Sequence, residues 1–354
     1  MKLSPIVDLS SDTVTKPTPE MRRFMCDAEV GDEQRGEDPT VNLLQEMVAD
    51  LLGKEAALYL PSGTMCNEIA FAVYCRPGDE IIMDRTAHPL NSEVGGPAAL
   101  SGALIRPLEG TRGIFTDQQL AAAIRPLTRY VPRSRIVSVE QSTNFGGGAC
   151  WRLQNIQAVC EAAHQYGLIM HMDGARLLNA VVATSISARE YALPFDTVWI
   201  DLSKGLGAPV GAVLAGSQAF IDEAWRFKQR FGGAMRQAGI IAAAGVYALK
   251  YHVERLAEDH EHAKAFAHGL ATLPGIVAHP EEVETNIVLF DVAELGLTAR
   301  QFADRILNEQ GIRFSVVDPT VVGLTIVRAV THLNVSREDI KLALRACANI
   351  TGVE

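Results

Sequence analysis

Short, mostly apolar runs alternate with helix-like segments between residues 56 and 226, and this alternation restricts the fold most strongly. Continuous apolar runs of strand length are typical of parallel strands covered by helices on both faces. We therefore predict an α/β fold with a mostly parallel central sheet sandwiched by helices. The runs cover 56–60, 80–83, 103–105, 135–139, 167–172, 197–202 and 210–214, and the helix-like segments include 64–74, 117–124, 153–166 and 217–226. In such sheets ligands bind beyond the carboxyl ends of the strands.

The pattern changes near residue 250, after the first part of a long helical region, 236–268. Beyond it, the sequence predicts strands at 286–291 and 324–330 and helices at 298–309 and 336–348. We therefore predict a large domain over residues 1–250 and a smaller α+β domain over residues 251–354.

The composition is that of a soluble globular enzyme. Charged residues make up 21% of the 354 residues and the net charge is −10, without basic clusters, so we expect no nucleic-acid partner. The first residues lack an apolar segment and no run approaches membrane-spanning length, so we expect neither a signal peptide nor a membrane anchor. Six scattered cysteines indicate buried thiols in the cytoplasm, and the nine histidines predict no metal site.

Lys204 follows the strand-like run 197–202 and precedes a loop rich in glycine and proline, 205–211. A lysine at the end of a strand, beside a small-residue loop, can react with a carbonyl group to form a Schiff base. A charged residue in a surface turn is the alternative interpretation.

Three further stretches follow predicted strands. Ser62-Gly63-Thr64 leads into a helix, where free N–H groups would bind phosphate, although Ser62 or Thr64 could simply cap the helix. Asp173 needs a cationic partner, which could be a protonated pyridine nitrogen or Arg176. His88 could stack on a flat ring or act as a base, although a single histidine is more often structural.

Together these residues form a set: a phosphate site, a stacking histidine, a strand-end aspartate and a lysine. Those are the groups needed to hold the phosphate, ring face, ring nitrogen and aldehyde of pyridoxal phosphate. We therefore predict pyridoxal 5'-phosphate as the cofactor.

At this level of detail the sequence resembles the threonine aldolase family, pyridoxal phosphate-dependent enzymes of the type I transferase fold that act on L-β-hydroxy-amino acids. The resemblance covers nearly the whole chain. It rests on residues 8–15 (DLSSDTVT), 36–41 (GEDPTV), 61–65 (PSGTM), 93–96 (EVGG), 173–176 (DGAR), 203–211 (SKGLGAPVG), 232–239 (GGAMRQAG) and 328–332 (RAVTH).

The resemblance implies a role for each matching residue. Those that hold the cofactor would be Lys204 at the aldehyde, Gly63 and Thr64 at the phosphate, His88 on the ring, Asp173 at the ring nitrogen, Arg176 near the ring hydroxyl, and Arg236 reaching the phosphate from a neighbouring subunit. Ser11, Arg176 and Arg328 would bind the substrate carboxylate, so the segment 1–50 contributes to the active site. The family implies a homodimer or homotetramer with shared active sites.

The chain departs from the family pattern at three positions. Ser10 stands where the family usually has arginine, Arg35 where it commonly has tyrosine, and Thr143 where it has a histidine associated with the substrate hydroxyl. The loss of that histidine makes His88 the better candidate base. If Arg35 reaches the pocket, it could favour an acidic β-substituent, as in 3-hydroxyaspartate; a solvent-facing arginine is the alternative.

The resemblance implies a lyase that cleaves L-β-hydroxy-α-amino acids, such as L-threonine, L-allo-threonine or phenylserine, to glycine and an aldehyde. A β-eliminating lyase or dehydratase acting on a substrate such as 3-hydroxyaspartate is the second possibility. An aminotransferase fits the motifs less well. A protein that binds pyridoxal phosphate without catalysis is the remaining alternative.

Overall fold

A seven-stranded sheet forms the centre of the computed structural model, which describes residues 6–322 and 326–352. The strands are β1 Val7–Asp8, β2 Ala56–Leu60, β3 Glu80–Asp84, β4 Leu104–Leu108, β5 Ser134–Glu140, β6 Ile169–Gly174, β7 Thr197–Asp201, β8 Ala212–Gly216, β9 Val277–Ala278, β10 Ile287–Asp291, β11 Ile312–Arg313, β12 Ser315–Val317 and β13 Ile326–Val330. The α-helices are α1 Pro19–Cys26, α2 Pro39–Leu52, α3 Gly63–Tyr74, α4 His88–Asn91, α5 Gly96–Ser101, α6 Asp117–Ala123, α7 Leu153–Gln165, α8 Leu177–Thr184, α9 Ala188–Ala192, α10 Gln218–Arg230, α11 Gly239–Tyr251, α12 Leu256–Leu270, α13 Ala299–Gln310, α14 Pro319–Val322 and α15 Arg337–Thr351.

The order of strands in the central sheet is β2-β8-β7-β6-β5-β3-β4. The strands β7, β6, β5, β3 and β4 pair in parallel, and β8 runs antiparallel to both of its neighbours. All strands of this sheet except β8 therefore end at the same edge. The seven predicted strands and the mostly parallel sheet are confirmed, with shifts of one or two residues at most ends.

Helices cover both faces of this sheet, which explains why its strands are apolar on both sides. Leu44 of α2 and Val159 of α7 belong to the core on one face, and Ile69 of α3 and Phe220 of α10 to the core on the other. All four side chains are buried, and the burial of each stabilises the folded state by about 1.5–3 kcal/mol. The packing holds the strand ends, and the side chains that follow them, in fixed positions.

The C-terminal part forms a second, antiparallel sheet in the order β12-β13-β10-β9, and α12, α13 and α15 supply side chains to its core. The helical region predicted at 236–268 consists of two helices, because α11 ends at Tyr251 and α12 begins at Leu256. Leu324 and Thr325, the start of the predicted strand 324–330, lie outside the described residues. The domain limits at residue 250 stay a prediction.

The N-terminal segment packs against this C-terminal part. Strand β1 pairs in parallel with β11, with Val7 opposite Ile312, and Leu9 is buried in the C-terminal core. This pairing fixes the chain just before Ser11 and Asp12. Within the described ranges, no helix combines the length and the apolar character needed to cross a membrane.

Candidate active site

A cavity of about 340 Å³ lies at the carboxyl edge of the central sheet. It is lined by residues that follow β2, β3, β5, β6 and β7 and by residues from the N-terminal and C-terminal segments. Eight of the ten predicted site residues line it: Ser11, Gly63, Thr64, His88, Asp173, Arg176, Lys204 and Arg328. Residues separated by more than 300 positions are thus brought together in one space.

Lys204 lies directly beyond the end of β7. Its Nζ is 3.2 Å from Oδ2 of Asp201, and the other oxygen of Asp201 accepts hydrogen bonds from the backbone N–H and the hydroxyl of Ser203. Gly207 and Gly211 have φ values of 77° and 110°, which β-carbon-bearing residues rarely adopt, so the loop needs glycine there. Asp201 therefore holds the amine of Lys204 at the edge of the cavity.

The helix α3 begins at the cavity wall. The hydroxyl of Ser62 accepts a hydrogen bond of 3.2 Å from the backbone N–H of Met65, which confirms that Ser62 caps this helix. A β-carbon at Gly63 would lie 2.3 Å from the indole ring of Trp199, so only glycine lets the helix start so close to β7. The first N–H groups of a helix have no hydrogen-bond partner within the helix, so they can bind an anion such as phosphate.

Asp173 at the end of β6 is 1% exposed. Its Oδ1 accepts a hydrogen bond from the N–H of Ala175 and its Oδ2 from the amide of Asn67, both of 3.0 Å. In the described part of the chain no lysine or arginine forms an ion pair with it, because Arg176 binds Asp12 instead. The alternative in which Arg176 neutralises Asp173 is therefore wrong, and this buried acidic side chain on the cavity wall has no Lys or Arg partner among the described residues.

Arg176 and Arg328 form a second, cationic wall. Arg176 donates a bidentate pair of hydrogen bonds, of 2.6 and 2.7 Å, to the carboxylate of Asp12. Arg328 donates a hydrogen bond of 2.8 Å to the amide oxygen of Asn144. Although burial opposes it, the charge of Arg176 and its hydrogen bonds lower the pKa of Asp12 well below its usual range. Arg328 has no carboxylate in contact among the described residues, and its Nε has no hydrogen-bond partner there.

His88 begins the short helix α4, and its Nδ1 is 2.8 Å from Oε1 of Glu93. The same Glu93 oxygen accepts a hydrogen bond of 2.8 Å from the amide of Asn67. Although burial opposes it, this contact with Glu93 and the charge of Asp173 raise the pKa of His88 above its ordinary value. His88 is thus fixed on its Nδ1 side, and the ring borders the cavity.

Glu140 is the main cavity residue that sequence reasoning missed. It ends β5, directly opposite Asp173 of β6, and both lie on the cavity wall. Burial raises the pKa of Glu140 to about 8, and the charge of Asp173 adds to the effect. Its position at the end of a predicted strand was the available signal. Asn144, which follows β5, and Asp201, which ends β7, also line the cavity.

Two predicted site residues do not line the cavity of their own chain. Arg236 and Arg35 both lie near Asp32, and their side chains are 61% and 72% exposed. Thr143, at the position of the family histidine, is fully buried and is also not part of the cavity wall. The role of Arg236 in a neighbouring subunit stays a prediction.

Comparison with known proteins gives consistent matches over most of the chain. The model of the family described as beta-eliminating lyase matches residues 8–294. The low-specificity L-threonine aldolase 1 of Arabidopsis thaliana is 39% identical over 86% of this chain and 87% of its own. The low specificity L-threonine aldolase of Escherichia coli K12 is 38% identical over 95% and 96%. The threonine aldolase structure from Leishmania major has the same fold, with a TM-score of 0.82 at 18% identity over 97% and 99%.

Proposed function

This chain belongs to the beta-eliminating lyase family and, within it, to the threonine aldolases, and on this premise we propose that it cleaves L-β-hydroxy-α-amino acids to glycine and an aldehyde. The cofactor is pyridoxal phosphate. When bound, pyridoxal phosphate takes up the amino group of the substrate and withdraws electrons from Cα, which weakens the Cα–Cβ bond.

Asp173 is the residue that most directly supports this proposal. A buried carboxylate is costly unless a cation or several donors stabilise it, and Asp173 has two donors and no cation among the described residues. A protonated pyridine nitrogen would supply the missing charge. The cavity therefore fits pyridoxal phosphate by the chemistry of its own residues.

We propose the other cofactor contacts for residues that line the same cavity as Asp173. Lys204 would bind the aldehyde carbon covalently as a Schiff base, because its amine lies at the cavity edge beside Asp201. Gly63 and Thr64 would hold the phosphate with the free N–H groups at the start of α3. His88 would lie against the ring face.

The substrate carboxylate is expected at Arg328 and Ser11. Arg328 is buried, and its Nε has no partner in the described chain, so a carboxylate would complete its hydrogen bonds. Burial and the charge of Arg176 lower the pKa of Arg328 to about 10, which leaves it cationic at neutral pH. Arg176 is held by Asp12 and would contribute mainly through its position near the ring.

His88 is the proposed base for the β-hydroxyl proton. Its Nδ1 is occupied by Glu93, so its Nε2 is the nitrogen available for proton exchange. Thr143 cannot take over this role, because its side chain is buried outside the cavity wall. Among the histidines of the described chain, only His88 lines the cavity, so removal and return of the β-hydroxyl proton are assigned to it.

A panel of four substrates tests the proposal: L-threonine, L-allo-threonine, phenylserine and 3-hydroxyaspartate. Glycine together with the matching aldehyde from at least one of them would support an aldolase. The relative kcat/KM values would give the preferred β-substituent. Formation of a keto acid and ammonia from all four would contradict the proposal.

β-Elimination is the second candidate, because the raised pKa of His88 also suits an acid. A protonated His88 could donate to the departing hydroxyl instead of removing its proton. 3-Hydroxyaspartate is the substrate on which this alternative is tested, by measuring keto acid and ammonia against glycine.

We further propose a homodimer or homotetramer in which Arg236 completes the phosphate site of a neighbouring subunit. Its exposed side chain, outside its own cavity, supports this arrangement. Mixing an inactive Lys204→Ala protein with an inactive Arg236→Ala protein should restore activity, because a hybrid assembly has some sites with neither change. Failure to restore activity, with subunit exchange verified, would contradict shared sites.

Arg35 lies beside Asp32 like Arg236, so it too could reach only a neighbouring cavity. There it would favour an acidic β-substituent. An unchanged ratio of kcat/KM for threonine and 3-hydroxyaspartate in Arg35→Tyr would remove this part of the proposal.

We place the enzyme in the cytoplasm. All six cysteines are free thiols and five of them are buried, which suits a reducing compartment.

A further inference from the structure

Behind His88, two buried glutamates lie in contact with each other. Glu68 on α3 is 3% exposed and Glu93 is 6% exposed, and their side chains lie close enough together for one carboxyl group to donate to the other. Apart from this possible contact, neither oxygen of Glu68, nor Oε2 of Glu93, has a hydrogen-bond partner in the described chain. Two ionised carboxylates cannot hydrogen-bond to each other and would repel each other in a buried site, so this arrangement favours a proton on one of them.

We infer that Glu68 keeps a proton that it shares with Glu93, and that this carboxyl pair fixes the orientation and the protonation of His88. Glu68 is therefore a positioning residue for the proposed reaction. It acts through Glu93 and has no place on the cavity wall.

The packing around Glu68 leaves no room for a counterion. A β-carbon at Gly96 would lie 2.0 Å from Oε1 of Glu68, so the backbone at the start of α5 closes over the carboxyl group. No lysine or arginine forms an ion pair with Glu68 or Glu93 in the described ranges, where His88 is the only ion-pair partner of Glu93. Burial raises the pKa of Glu68 to about 8, and the charge of Glu93 adds to the effect.

The other titratable groups around the pair favour the same state. Asp173 of β6 adds negative charge near His88, and Glu140 of β5, whose pKa burial raises to about 8, is mostly protonated at pH 7. Cys66 on α3 stays a neutral thiol, since burial and nearby carboxylates raise its pKa well above the usual value. Burial lowers the pKa of His171 to about 3, so it supplies no positive charge. Among the described residues only His88 can offer the pair a positive charge, so a single proton shared between Glu68 and Glu93 is the favoured state.

The shared proton has a consequence for His88. Oε1 of Glu93 lies at Nδ1 of His88 and accepts from Asn67, whereas Oε2 has no other partner in the described chain and is left for the proton of Glu68. The pair then carries one negative charge in total, which holds the proton of His88 on Nδ1 and leaves Nε2 for the substrate. When Glu68 loses its proton at alkaline pH, the pair gains a second negative charge, and this charge raises the proton affinity of His88. This consequence rests on the proposed role of His88, whereas the carboxyl pair does not.

Infrared spectroscopy of the purified protein tests the pair without using activity. With carbon-13-labelled glutamate, a protonated carboxyl group gives a C=O band separate from that of carboxylates. At pH 7 the wild type should show such a band, and Glu68→Gln should lose one component of it. Because Glu140 is also buried with a raised pKa, Glu140→Gln should remove a different component. The exposed Glu254→Gln should leave the band intact.

Two further results decide the inference. In Glu93→Gln the band of Glu68 should titrate at lower pH than in the wild type, because the neighbouring charge is gone. The pH profile of kcat/KM in Glu68→Gln should lack the alkaline transition of the wild type. A band at pH 7 that is unchanged in Glu68→Gln would overturn the shared proton. An intact alkaline transition in that variant would overturn its link to His88. The product analysis tests the proposed function separately.

Discussion

The amide nitrogen of Asn67 donates a hydrogen bond of 3.0 Å to Oδ2 of Asp173. The same nitrogen donates to Glu93, and the amide oxygen of Asn67 accepts from the indole N–H of Trp199 over 2.7 Å. One buried side chain on α3 thus connects the proposed partner of the ring nitrogen with the carboxylate behind His88. The geometry of both depends on a residue outside the cavity wall.

Replacing Asn67 by alanine should destabilise the protein and weaken the cofactor site together. The change leaves the N–H of Trp199 and the carboxylates of Asp173 and Glu93 without their common partner, at a cost of about 2–4 kcal/mol. Urea unfolding and titration with pyridoxal phosphate would measure the two effects. The exposed Asn308→Ala serves as the control and should change neither. Full stability in Asn67→Ala would contradict the network.

Lys204→Ala should abolish covalent cofactor binding and reduce kcat/KM by roughly three orders of magnitude or more. The reason is that no other lysine lines the cavity in the described chain. Borohydride reduction followed by peptide mass analysis should find the cofactor on Lys204 in the wild type and nowhere in the variant. Labelling at the same level in Lys204→Ala would refute the assignment, and the exposed Lys250→Ala should behave as the wild type.

Arg328→Ala should raise KM and lower kcat/KM by roughly 100-fold, because the substrate carboxylate loses its buried cationic partner. Arg328→Lys should recover only part of this loss, since an ammonium group cannot make the same paired contact. Steady-state kinetics with the preferred substrate measures both. An equal loss in Arg305→Ala, an exposed arginine paired with Glu309, would show that the effect is not specific to the site.

Acid sensitivity should depend on Asp12. Its folded-state pKa lies below the unfolded value of about 3.9, so its stabilising contribution is present above that value and is lost as pH falls toward the folded pKa. The difference in unfolding free energy between wild type and Asp12→Asn should therefore be largest near neutral pH and shrink below about pH 4. Chemical denaturation at a series of pH values measures it. A difference independent of pH would contradict the prediction, and the exposed Asp304→Asn should show no such trend.

The sequence predicted the central sheet because its strands are buried on both faces and therefore apolar in continuous runs. It also predicted which side chains follow the strand ends, since chain order fixes that directly. Asp173, His88 and Lys204 were found in this way, and the structure places all three on one cavity. Glu140 directly follows a predicted strand as well, but no role was predicted for it from the sequence.

Contacts between residues that are distant in sequence could not be predicted from the sequence. Arg176 pairs with Asp12, 164 positions away, and not with the nearby Asp173. Sequence proximity suggested the wrong pair, because the pairing of β1 with β11 is what brings the N-terminal segment to the site. The contact of Glu68 with Glu93 likewise depends on the packing of α3 against the segment after α4.

The fate of the β-carbon tests the proposed reaction most directly. L-Threonine labelled with carbon-13 at Cβ can be followed by NMR during turnover by the purified enzyme. Cleavage of the Cα–Cβ bond places the label in acetaldehyde, with unlabelled glycine formed in equal amount, and this is the expected result. Label in a four-carbon keto acid, with ammonia released in equal amount, would mean that the hydroxyl leaves and the carbon–carbon bond stays intact, and it would contradict the aldolase.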